Sequence, residues 1–268
     1  MDARSGERIV VKSPEEIVLL RAACRVVAEV LAELRSAIAP GVTTLELDRL
    51  AEAGARRRGA EPAFKGYHGY PASLCASVNE EVVHGIPSAA RVLRVGDVIG
   101  LDFGVVLDGF YGDAAITVPV GRVSEEARRL LEVTSEALAA AVEEARPDRR
   151  VGDLGAAVQR CAERHGFSVV RDFVGHGIGR RLHEPPQIPN FGTPGTGPRL
   201  RAGMALAIEP MVNAGGFEVD TRDDGWTAYT VDGGLSAHFE HTVLITEKGP
   251  EILTLTPDAS SGAPGGTG

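Results

Sequence analysis

Two aspartates, Asp102 and Asp113, fall inside one predicted β-hairpin, and two glutamates, Glu209 and Glu240, interrupt later apolar runs that otherwise read as core strands. The hairpin follows from the residues. Val98–Leu107 runs into Asp108-Gly109, a two-residue turn signal, and the chain returns as Phe110–Val118. In that register Asp102 faces Ala115 and Asp113 faces Gly104, so both carboxylates share one face of the ribbon, diagonally about 7–8 Å apart at the backbone. Carboxylates this close in an apolar setting repel one another and take up protons unless cations neutralise them, which makes two divalent metal ions the natural partners. With Glu209, Glu240 and one histidine the donors are hard, favouring Mn, Fe(II), Co or Zn over thiolate-seeking metals. Any one of these acids alone reads equally well as a strand-edge charge turned to water; four together do not. Asp97, Asp108, Glu80 and Glu81, next to turns or polar neighbours, take the solvated reading.

The elements that must position these groups announce themselves by their caps. Ser13, Pro14 and Glu16 form a capping-box start for a helix to about Ile38, and Thr43 with Glu46 repeats the spacing for a second helix to Arg58, stopped by Gly59. Ser124 opens a helix to about Ala145, Pro147 breaks the chain, and a fourth helix runs from about Gly152 to Gly166. A shift of 107 residues carries Pro40 onto Pro147, Leu47 onto Leu154, Gly59 onto Gly166 and Asp102 onto Glu209. This internal duplication predicts an α+β fold of two pseudo-symmetric halves, about 13–120 and 121–255, with an antiparallel sheet flanked by two pairs of helices and a cleft between the halves. Residues 1–12 read as an N-terminal extension and 256–268, rich in Gly, Pro and Ser, as a disordered tail.

Composition narrows the classes. A chain of 268 residues with 43% hydrophobic content and mean hydropathy of −0.02 buries a sizeable core. A formal net charge of −9 argues against nucleic acid as the main ligand, and the run Arg56, Arg57, Arg58 reads as a solvated helix face. Three widely spaced cysteines, Cys24, Cys75 and Cys161, make no disulfide framework, and no stretch reaches the ~18 apolar residues of a membrane span. The expected location is the cytoplasm.

Three histidines stand in Gly/Pro-rich loops where backbone can approach a ligand: His84 in Val83–Pro87, His176 in Gly175–Gly179, and His183 in Leu182–Pro186. Together with Gly66–Pro71, Ser73–Glu80, Leu101–Gly104, Gly109–Asp113, Ile208–Pro210 and Phe239–Thr242, these segments, in this order, resemble the type I methionine aminopeptidases of the creatinase-like pita-bread fold. The resemblance spans roughly Ser13 to Leu255.

The resemblance implies that Asp102, Asp113, His176, Glu209 and Glu240 hold two divalent ions, with a monovalent cation near Asn79 and Ser236. It implies that a metal-bridged hydroxide attacks the first carbonyl, Glu209 shuttles its proton, His183 stabilises the oxyanion and His84 contacts the scissile nitrogen. Tyr67, Tyr70, Cys75, Trp226 and Phe64 would line a methionine pocket, the sulfur and aromatic groups gripping a thioether. Cys24, Cys161, His68, His165, His238 and His241 read as structural. Phe64, Val83 and Leu182 depart from frequent residues of the family, but none removes a ligand, and the Glu209–Glu240 spacing has no room for the helical insertion of the longer second type. The implied activity is removal of N-terminal methionine from nascent chains whose second residue is small, by a monomeric, bacterial-type enzyme acting near the ribosome. Two alternatives stand beside it: an Xaa-Pro aminopeptidase or prolidase of the same fold, and a non-catalytic binding relative.

Overall fold

Asp108 and Gly109 both take positive φ, 49° and 79°, the left-handed geometry that lets a two-residue turn match the twist of its strands. The hairpin closes in the expected register, with Asp102 opposite Ala115 and Gly104 opposite Asp113. The computed structural model describes residues 8–256; residues 1–7 and the expected disordered tail from Pro257 lie outside the described residues.

Among the described residues four α-helices form: α1 Pro14–Ala37, α2 Thr44–Arg57, α3 Glu125–Glu144 and α4 Val151–Glu163. Ser13 Oγ accepts from Glu16 N at 3.3 Å while Glu16 Oε2 accepts from Ser13 N at 2.9 Å, and Thr43 with Glu46 does the same for α2. Each such cap stabilises its helix by about 1 kcal/mol. α4 ends before the expected Gly166, which sits at φ 82° just beyond the last turn, the conformation a non-glycine residue resists.

Among the described residues the helices cover a nine-stranded sheet, beside which lie two smaller three-stranded sheets. Its strands are β1 Glu61–Pro62, β2 Cys75–Val78, β3 Val98–Leu107, β4 Phe110–Pro119, β5 Val174–Gly177, β6 Glu184–Pro189, β7 Ala205–Ile208, β8 Glu240–Thr246 and β9 Gly249–Ile252. The order is β1-β3-β4-β8-β7-β5-β6, with β2 on β3 and β9 on β8, so β4 and β8 form the central seam. The 107-residue shift carries β3 onto β7, with Asp102 falling on Glu209, one residue past the end of β7, while β4 and β8 meet at the seam. Each half has its own apolar core: Leu34, Leu47, Leu101 and Phe103 in the first, Leu130, Leu154, Leu206 and Val243 in the second. Fully burying one such side chain stabilises by about 1.5–3 kcal/mol. Gly112 takes part because α1 crosses β4 there: a Cβ on it would lie 2.7 Å from Cys24 N.

Three local expectations change. Glu209 and Glu240 stand at strand ends and not inside the runs: β7 ends at Ile208, one residue before Glu209, and Glu240 is the first residue of β8. The arginine run is not uniformly solvated, since Arg58 lies across α1 with Nε 2.7 Å from Glu29 and Nη2 2.7 Å from Glu33. Lys12, read as part of an extension, is buried, its Nζ 2.6 Å from Glu184 Oε2.

Candidate active site

The registers alone place the acids. Asp102 is opposite Ala115, and Ala115 is opposite Glu240; residues opposite one another share a sheet face. Asp113, two positions from Ala115, shares it too. Across the seam Ile208 pairs with His241, so continuing one step sets Glu209 opposite Glu240. His176 pairs with Ala207, two residues from Glu209. Strands β3, β4 and β8, with the residue just past the end of β7, therefore deliver one carboxylate each to a single face, and β5 adds the histidine. Cys75, opposite Asp102, ends the row.

The contacts agree. Ligand atoms of Asp113, His176 and Glu240 lie within 4.8 Å of one another, and His176 Nε2 is 3.5 Å from Glu209 Oε1. His176 Nδ1 is 2.9 Å from the Gly177 carbonyl; a carbonyl only accepts, so Nδ1 carries the proton and Nε2 presents its lone pair to the acids. Asp102 Oδ1, Asp113 Oδ1 and Glu240 Oε1 are buried and have no hydrogen-bond partner among the described residues. Burial raises the pKa of all four carboxyls, and at Asp113, Glu209 and Glu240 the neighbouring acids raise it further. A cluster of mutually repelling acids with orphaned oxygens fits divalent cations, which would stabilise the charged forms.

The other expected residues gather around this face. Phe64 leans over Gly104, where a Cβ would come within 2.7 Å of its ring. It packs with Tyr70 and Cys75 in one apolar cluster, flanked by Tyr67 and Trp226. Tyr70 and Trp226 meet edge to face, ring centroids 5.1 Å apart. The Tyr67 hydroxyl is 2.7 Å from His183 Nδ1, and the rings of His183 and His176 are 4.3 Å apart. His84 occupies the left-handed region at φ 61°, a strained conformation for a residue with a side chain. The pairing of Val83 with Ala228 brings the segment of Trp226 beside it, with ring centroids 6.4 Å apart. Burial lowers His84 and His176 to about 4 and His183 to about 3, so all three are neutral near pH 7.

One residue read as structural belongs here. His238 is 3% exposed, its Nε2 has no hydrogen-bond partner among the described residues, and it lies 3.7 Å from Glu209 Oε2. Its signal in the sequence is the His-x-Glu alternation ending at Glu240, which puts both on one face of an extended segment. Phe173, not anticipated, packs edge-on against His84 at 5.4 Å. Asn79 and Ser236 do meet, Ser236 N donating to the Asn79 carbonyl at 2.9 Å, while the Asn79 side chain ties Asp97 and Val98.

A sequence model of metallopeptidase family M24 matches residues 18–247. A methionine aminopeptidase of Clostridium perfringens is 53% identical over 247 residues, 92% of this chain and 99% of that one. Methionine aminopeptidase 1 of Bacillus subtilis is 52% identical over 246 residues, with the same coverage. The crystal structure of the Thermotoga maritima methionine aminopeptidase superposes with a TM-score of 0.92 at 50% identity, covering 92% of this chain and 100% of that one. With its carboxylate-lined sheet face and likeness along nearly its whole length, the chain belongs to metallopeptidase family M24 and, within it, to the methionine aminopeptidases.

Proposed function

We propose that Asp102, Asp113, His176, Glu209 and Glu240 hold two divalent cations, and that the chain hydrolyses the first peptide bond of chains that begin with methionine and carry a small second residue. The strongest support is geometric: carboxylates from β3, β4, β8 and the residue just past β7 converge on a buried face, three of them with oxygens that have no hydrogen-bond partner among the described residues. Membership of the metallopeptidase family implies divalent metal ions; bound there, Mn, Fe(II), Co or Zn supplies Lewis acidity and lowers the pKa of a water.

The protein's own groups divide the remaining work. Glu209, held between His176 and His238, takes the proton of the attacking water at a carboxylate oxygen and delivers it to the departing amine. His183 is neutral. If the Tyr67 hydroxyl donates to Nδ1, the ring proton resides on Nε2, which donates to the carbonyl oxygen as negative charge develops there. His84, fixed by its strained backbone and by Phe173, contacts the scissile nitrogen. Phe64, Tyr67, Tyr70, Cys75 and Trp226 enclose the methionine side chain, matching its thioether with polarizable surface. Trp226 beside His84 narrows the space for the second residue.

The same reading makes residues 13–255 one catalytic unit of two halves, with nascent N-termini near the ribosome as substrates and the cytoplasm as its location. Among the described residues no helix is long and apolar enough to cross a membrane. It includes a monovalent cation where Asn79 and Ser236 meet, and a monomeric enzyme. Competition between Met-Ala-Ser and Ala-Pro-Ser, read by the free first amino acid after reloading chelated protein with single metals, tests it. Release of methionine is expected; preferential release of alanine would overturn the assignment in favour of an Xaa-Pro peptidase.

A further inference from the structure

A second group of metal-ligating side chains lies on the helical layer, away from the carboxylate face. Glu136 projects from α3, Cys161 from the last turn of α4, and His165 from just beyond it, and one ligand atom from each falls within 4.8 Å of the other two. We propose that Glu136, Cys161 and His165 bind a divalent cation of the Zn²⁺ class, stapling α3 to α4. Oxygen, sulfur and nitrogen donors from three side chains make up three of the four positions such a cation takes, the last left to water.

Three details support this donor set. Cys161 and His165 are four residues apart, so the helical turn stacks them on one face. His165 Nδ1 is 3.0 Å from the Cys161 carbonyl, which can only accept, so the ring proton sits on Nδ1 and Nε2 keeps a free lone pair. Finally, a cation already occupies the gap: the Arg164 guanidinium reaches 3.5 Å from Glu136 Oε2 and 3.6 Å from Cys161 Sγ. Arg164 is 62% exposed and can withdraw to solvent. Binding then breaks the Cys161 S–H bond, now directed toward the Val133 carbonyl, forms a sulfur–metal bond and releases one proton to water.

Cobalt(II) absorption reads this site separately from the first, because the ligands proposed there are oxygen and nitrogen only. The full-length protein, titrated with Co²⁺ beyond two equivalents, should develop a thiolate-to-cobalt charge-transfer band with release of one proton. Cys161→Ser should abolish the band and leave methionine release intact. His165→Ala, a change at a half-buried position, should shift its midpoint to higher Co²⁺, and Arg164→Ala should shift it to lower Co²⁺. Absence of the band in saturated wild-type protein, or its survival in Cys161→Ser with loss in Cys75→Ser, would overturn the proposal. A failure of the first-site reading shows instead in the oxygen- and nitrogen-ligated spectrum and in the peptidase assay, neither of which depends on Cys161.

Discussion

Tyr67 sets its phenolic oxygen 2.7 Å from Nδ1 of His183, although 116 residues separate the two in sequence. The bond ties a residue of the expected methionine pocket to the expected oxyanion donor, so binding and chemistry share one contact. A hydrogen bond of this kind is worth about 1 kcal/mol net. Tyr67→Phe should therefore lower kcat by roughly fivefold, with KM changing less, and His183→Ala should lower it by about 10²–10³. If the double variant loses as much as the product of the two single losses, Tyr67 does not act through His183.

Glu209→Gln should keep the fold, because the amide fills the same space, while turnover falls by about 10²–10⁴ from loss of a proton acceptor. Circular dichroism, metal content and kcat at saturating metal check this together. Near-normal turnover would exclude the proton-shuttle role.

The ion pair of Lys12 with Glu184 is 2.6 Å long, with both side chains nearly inaccessible, and Glu184 also accepts from Arg181 N at 3.1 Å. Glu184→Ala would leave a buried ammonium group without its counter-charge, at a cost of about 3–5 kcal/mol. Urea unfolding should show that loss. Lys12→Met combined with Glu184→Leu should recover most of it, since desolvating the pair offsets much of its attraction.

Chelation should make stability depend on pH in a defined direction. Asp102 is raised from 3.8 to about 7 by burial, and burial together with the neighbouring acids also pushes Asp113, Glu209 and Glu240 upward. A folded-state pKa above the unfolded value gives stability that is complete below about pH 4 and lost as pH climbs toward the folded pKa, because the unfolded chain releases its protons first. Buried histidines such as His241, lowered to about 4, act oppositely, favouring the fold above about pH 6.5. Comparing chelated and metal-loaded protein cancels the contribution of His241, whose ring turns away from the carboxylate face to Thr254. The gap in Tm between the two forms should widen from pH 5 to 7. A gap independent of pH would mean that the acids are not the groups the metal neutralises.

The sequence by itself determined the parts governed by short-range chemistry. The capping boxes at Ser13 and Thr43, the Asp108-Gly109 turn and the alternation of a paired strand are local, so they set two helix starts, the hairpin register and the shared face of Asp102 and Asp113. The 107-residue repeat extended that to a duplicated architecture. Tertiary structure decided what depends on pairing between distant strands: Glu240 enters the row of Asp102 only because β8 seats its first residues against β4, and His176 arrives from β5 through β7. It also decided which histidines face which groups. His238 and His241 stand three residues apart, yet one points at Glu209 and the other at Thr254, because the chain leaves one ladder after His238 and enters another at Glu240. Lys12 was invisible as a buried ion-pair partner for the same reason. A charge is stable in the interior only when a specific counter-charge, here from 172 residues away, has been folded against it.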